Sequence, residues 1–131
     1  MFQNATFVAS KNTALDFRNV DFSNISDASY MFSGVKFEAK ENNSISISVF
    51  LPNNFGLNAD STTLEKMFSE SLISEIEFGQ NFAPHGNWYL EMFYKCIYLT
   101  KLDLSTFSST DSEIILNSMC FGCTLLSSVK L

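Results

Sequence analysis

Apolar and polar residues follow two rhythms that take turns along this chain. In the first, stripe positions recur at i, i+3, i+4 and i+7. Leu64, Met67, Phe68 and Ser71 show it, as do Tyr89, Met92, Phe93 and Cys96, and Leu116, Met119, Cys120 and Cys123. That spacing lays one stripe along one face of a helix. Thr62 and Glu65 stand at capping-box spacing at the start of one such segment. The second rhythm is short strict alternation: Leu15-x-Phe17, Val49-x-Leu51, Ile76-x-Phe78, Leu102-x-Leu104 and Val129-x-Leu131. Alternation over so few residues predicts a strand with one buried face.

The two rhythms form a repeat. Its clearest copy runs from Met92 to Phe107, and its opening returns at Met119, Met67 and Met31. After Met31 a polar insertion, about Glu38 to Ile45, delays the alternating segment. The residues between the paired apolar positions are Asp16, Phe50, Glu77, Asp103 and Lys130, and the steps between them are 34, 27, 26 and 27 residues. One repeat cannot bury its own stripe, whereas stacked copies can. The expectation is an α/β repeat: a leucine-rich-repeat-like solenoid with one short strand and one helix per repeat of about 26–27 residues. It forms one domain over 1–131 with about four and a half repeats. Leu131 falls inside a strand with nothing after it to cover the last rung. The expectation is therefore a fragment of a longer array, or end-to-end self-association. Asn54 and Asn81 follow the strands at turn positions, and Phe55, Phe82 and Phe107 are expected to fill the bends. Trp88 is expected to pack at a helix start.

The stretch Met92-Phe93-x-x-Cys96-x-x-Leu99-x-x-Leu102-Asp103-Leu104-Ser105-x-Phe107 resembles the unit of the BspA-like leucine-rich repeats, also seen in mycoplasma-type surface lipoproteins. At the other copies Val35 and Ser71 stand at the Cys position, and Cys120 stands at the Phe position. The resemblance covers about residues 12–131. It implies a surface or extracellular protein that binds host or cell-surface proteins. No lipoprotein-type cysteine stands near the start of this sequence.

Composition narrows the partner classes. The chain has 131 residues, 46 % hydrophobic and 17 % charged, with fourteen Phe and a net charge of −6. That composition excludes a disordered acidic tail. A net acidic chain repels phosphate backbones and anionic lipid, so no nucleic-acid partner is expected. No apolar run reaches the roughly 20 residues that span a bilayer, so no direct membrane insertion is expected. The first residues lack a basic cluster followed by an apolar stretch, which leaves a cytoplasmic location as the alternative.

Three constellations could carry chemistry. Cys120-x-x-Cys123 has the spacing of a zinc or redox half-site. Its partners would have to come from Cys96 and His85, and both cysteines also fall on the repeat's apolar stripe, where thiols act as small hydrophobes. Whether Cys96 and Cys123 are bonded stays open. His85 is the only histidine and lies in the turn-type stretch Ala83-Pro84-His85-Gly86-Asn87. Asp16, Phe50, Glu77, Asp103 and Lys130 would face outward from stacked strands and line up as a column. Glu77 and Asp103 could act as paired carboxylates or help hold a cation. Alternatively the column is a solvated face, or a docking surface with Phe50 as its aromatic anchor. Asn4, Asn24 and Asn42 head N-glycosylation sequons.

The expected function is a non-enzymatic protein–protein interaction module, a surface adhesin acting through Asp16, Phe50, Glu77, Asp103 and Lys130 on the strand face. It would use no cofactor and no metal. An intracellular repeat scaffold is the alternative. A metal-dependent hydrolase using the acidic residues of the strand face is the third choice.

Overall fold

The computed structural model describes residues 1–9, 12–39, 46–107, 109–110 and 113–131. Most of the polar insertion (40–45), with the Asn42 sequon, lies outside the described residues. Nine short strands succeed one another: β1 (Thr6–Ala9), β2 (Thr13–Asp16), β3 (Lys36–Ala39), β4 (Ile47–Phe50), β5 (Thr62–Thr63), β6 (Glu75–Glu77), β7 (Gly86–Trp88), β8 (Lys101–Asp103) and β9 (Ser128–Lys130). All pairings are parallel: β1 with β3, β2 with β4 with β6, β5 with β7, and β8 with β9. Isolated bridges at Asp27–Thr63, Phe82–Phe107 and Trp88–Ile115 continue the stacking between them. The chain is a parallel β-solenoid of about four turns.

No helix occurs among the described residues, which overturns the expected α/β leucine-rich-repeat architecture with a helix in every repeat. The segments read as helices are pairs of successive tight turns. In each, two residues four apart adopt left-handed φ: Tyr30 and Gly34, Lys66 and Glu70, Glu91 and Lys95, Ser118 and Gly122. These reversals prevent the i→i−4 ladder from forming. Alternate N–H groups close local turns instead, as from Met67 to Leu64 O (3.2 Å), Ser69 to Lys66 O (3.1 Å) and Ser71 to Phe68 O (3.1 Å). The others leave the coil along the solenoid axis: Lys66 to Leu90 O (2.9 Å), Phe68 to Met92 O (2.9 Å) and Glu70 to Tyr94 O (2.7 Å). The donors from Lys66 to Ser71 are thereby shared between local turns and the neighbouring coil rather than satisfied within a helix. Thr62, expected to cap a helix, lies in β5 with its hydroxyl donating to the Ile25 carbonyl. Trp88 ends β7 and is exposed.

The stripe is nevertheless buried as its spacing demands. Leu64, Met67, Phe68 and Ser71 are fully enclosed, and so are Met92 and Phe93. Equivalent residues stack into columns down the axis. Phe2, Phe32, Phe68 and Phe93 form one, with near-parallel rings 5.4, 5.2 and 5.6 Å apart. Phe22, Phe55, Phe82 and Phe107 form a second at the bends, at 5.6, 4.8 and 4.8 Å. Each such pair adds about 0.5–1.5 kcal/mol beyond the area it buries, which accounts for the excess of Phe. Asn54 and Asn81 take left-handed φ at the turn after β4 and β6, and Asn81 Nδ2 donates to Asn54 Oδ1 (3.2 Å).

Candidate functional site: the outward strand face

The alternating strands β2, β4, β6, β8 and β9 present one side to solvent. Their inward residues Val49, Ile76 and Leu102 are buried. Pairing in register places Asp16 beside Phe50 and Phe50 beside Glu77. Farther along, Asp103 stands beside Lys130. The column expected from the sequence is therefore present as two ladders. Among the described residues no ladder joins β6 to β8. There Glu77 and Asp103 would stand directly opposite each other, and like charges in that position are destabilising. A cleft of about 460 Å³ opens at the junction, bordered by Glu75, Glu77, Lys101, Asp103 and Lys130.

The two aspartates of the column are each tied into their own turn. Asp16 accepts from the backbone N–H of Arg18 (3.0 Å) and from its guanidinium through Nε (2.9 Å) and Nη2 (2.6 Å). These bonds push the Asp16 carboxyl down to about 2. Asp103 accepts from the side chain and backbone N–H of Ser105, and Lys130 Nζ donates to its other oxygen (3.0 Å). Its pKa is likewise pushed down to about 2. Asp21 and Asp27 accept from the N–H two residues on in the same manner, to Ser23 and Ser29. Asp at these positions is chosen by turn chemistry, because its carboxylate satisfies a main-chain donor that the bend leaves free.

Sequence reasoning missed Arg18. Its guanidinium lies 4.7 Å from the centroid of the Phe50 ring while holding Asp16. Asp16, Arg18 and Phe50 thus form one cluster across two coils, with the planar cation stacked on a partly exposed aromatic ring. The signal was an Arg two residues after a turn-capping Asp. A second cluster on another side joins Lys66 to Glu91 (3.5 Å) and Glu65 (3.9 Å) and sets its ammonium 5.7 Å from the Tyr30 ring.

The cysteines lie on the inner stripe. Cys96 Sγ donates to Phe68 O (3.0 Å), and Cys123 Sγ donates to Phe93 O (2.9 Å), one coil farther on. All three thiols are free. Interaction with the neighbouring Cys123 thiol and burial push the Cys96 thiol far up, whereas the interaction with Cys96 brings Cys123 down to about 7. Burial raises Cys120 to about 11. His85 is turned elsewhere, with Nδ1 3.4 Å from Thr110 Oγ1. No group of three His, Cys, Asp or Glu side chains is poised around a common point among the described residues. Nor do the described residues contain a helix long and apolar enough to cross a membrane.

The chain matches no protein-family model, no curated protein and no solved structure.

Proposed function

We propose that this solenoid is a non-enzymatic interaction module whose outward strand face docks a protein partner. The observation that carries this reading is the in-register column of Asp16, Phe50 and Glu77 with Arg18 stacked on Phe50, followed by Asp103 and Lys130. It sets an aromatic anchor and a planar cation, side-chain types enriched at protein interfaces, among fixed aspartates on a stiff strand surface. Asp16 and Asp103 stay ionised at neutral pH and spend their lone pairs on turn N–H groups and on Arg18 or Lys130. That favours recognition over acid–base chemistry, which needs a group titrating near the working pH. The resemblance to BspA-like repeats supports a cell-surface location, with host or cell proteins as partners. The three free thiols favour the alternative, an intracellular scaffold, because thiols persist in reducing compartments.

A photo-crosslinking residue in place of Phe50, compared with one in place of exposed Asn58, tests the docking face in source cells. A discrete protein adduct at position 50 alone is expected, and it should vanish when Glu77→Lys and Asp103→Lys are added. Equal adducts at both positions, or adducts that survive the charge reversal, would sink the strand-face reading. Protease shaving of intact cells separates the two locations: release of these peptides supports the surface, and full protection supports the scaffold.

A further inference from the structure

The cleft between β6 and β8 interrupts the outward face in the middle of the stack. β4 backs one of its walls and β9 the other. At the other junctions of this face, the N–H after the outward residue donates to a carbonyl one coil on. Phe17 bonds to Phe50 O (2.9 Å), Leu51 to Glu77 O (2.9 Å) and Leu104 to Lys130 O (2.8 Å). Among the described residues the equivalent bond, from Phe78 to Asp103 O, is not formed. The inner side of the same junction is nevertheless closed. Phe78 packs edge-on against Phe107 at 4.9 Å, and Phe82 bridges to Phe107. The two coils are thus pinned at the core and parted at the surface. Thr106 borders the cleft, and its hydroxyl oxygen is buried without a hydrogen-bond partner among the described residues.

Charge at the cleft is unbalanced. The carboxylates of Glu75, Glu77 and Asp103 border it with the ammonium groups of Lys101 and Lys130, which leaves one negative charge over. Glu77 joins no ion pair among the described residues. Lys130 reaches Asp103 from the far side, on β9, with its side chain 69 % exposed. A pair so exposed is weak and exchanges readily. The same face already shows how it holds a cation. Arg18 grips Asp16 through two nitrogens and lies over the Phe50 ring, and the charge of Glu77 favours it as well.

We propose that this cleft is where the docking face takes an arginine side chain of its protein partner. The guanidinium enters between Glu77 and Asp103, donates to both carboxylates and displaces Lys130 from Asp103. Ser105 and Thr106 offer hydroxyl acceptors beside it. A planar fork of five donors can serve two carboxylates at once, whereas an ammonium acts as a point charge. The inference rests on the docking reading above and adds the chemistry of the partner, a segment with an exposed arginine. The net charge of −6 favours approach of such a segment.

Titration of the full chain with the tripeptide acetyl-Gly-Arg-Gly-amide, followed by heteronuclear NMR, tests it. The amides of Glu77, Phe78, Asp103 and Ser105 should shift saturably. Glu77→Gln should weaken binding about twofold to fivefold, the range of an exposed ion pair. Lys130→Ala, which frees Asp103, should tighten it by a similar factor. Both side chains are exposed, so the circular dichroism spectrum should not change. The lysine tripeptide should bind more weakly. Equal binding of the two peptides would overturn the proposal. So would equal shifts at Glu65 and Glu91 on another side, because they would show only the attraction of cations to an acidic chain. Unchanged affinity in Glu77→Gln would overturn it as well. The crosslink at position 50 separates this inference from the docking reading. Glu77→Gln alone should lower the yield of that adduct. An unchanged yield would overturn the cleft as a point of recognition and leave the docking face standing. Absence of any adduct in the unaltered chain would overturn the docking face, and this inference with it.

Discussion

The coil around Phe68 and the coil around Cys120 carry the same local instructions. Both have the four-position stripe, and both place left-handed residues four apart, at Lys66 and Glu70 and at Ser118 and Gly122. Yet Leu64, Met67, Phe68 and Ser71 are fully buried, whereas Leu116 is exposed and Met119, Cys120 and Cys123 are only partly covered. Backbone geometry in this fold is therefore set within a coil, and burial is set by the neighbours on either side. A solenoid separates these two contributions because each unit touches only the next.

The largest expected effect of that difference is on stability. Phe68→Ala removes a ring stacked on both Phe32 and Phe93, and should cost about 3–5 kcal/mol in urea unfolding. Cys120→Ala, at the equivalent place one-sided in its contacts, should cost under about 1 kcal/mol. Equal losses would mean that the end coil is as well supported as the middle. Amide exchange sharpens the comparison. In the monomer, the N–H groups of Phe68 and Phe93 should be among the slowest to exchange, and those of Ser118, Cys120 and Gly122 among the fastest.

Thiol chemistry separates the coils next. Cys96 is buried with its thiol pushed up, whereas Cys123 is partly covered and brought down to about 7. Native-state alkylation should modify Cys123 with a rate that climbs around neutral pH, and should leave Cys96 intact until unfolding. Modification of Cys96 at the same rate would show the end coil opening as far as the one before it. The smallest effect is on acid stability. Asp16 and Asp103 titrate near 3.8 when unfolded and near 2 when folded. The unfolded chain binds more protons in that window, so their contribution is complete above about pH 4 and is lost as pH falls toward 2. Asp103→Ala should flatten the fall in urea midpoint between those values, and an unchanged slope would show that the turn caps do not titrate with folding.

Much of this architecture was legible in the residues. The 26–27-residue step, the inward set Val49, Ile76 and Leu102, and the outward alignment of Asp16, Phe50 and Glu77 follow from alternation and repetition alone. The helix was misread because the i, i+3, i+4, i+7 pattern is also what two four-residue turns in succession produce. Gly34 and Gly122 inside the stripe were the available signal. Glycine costs a helix about 1 kcal/mol but suits left-handed φ, which both adopt. The strands β1, β3, β5 and β7 carry no two large apolar residues in alternation, so the rhythm does not register there. The Arg18–Phe50 contact spans two coils separated by the irregular 34-residue step, so no local spacing announces it.

The hydrogen bonds that leave each turn stretch run parallel to the stacking axis, and that direction has a mechanical meaning. A load applied between Met1 and Leu131 is borne by successive coils in series, so it opens bonds one layer at a time rather than shearing a whole sheet at once. Each released coil of 27 residues pays out about 90 Å of extended chain. Under tension the molecule would lengthen in steps, yielding slack to whatever it holds before the remaining coils give way.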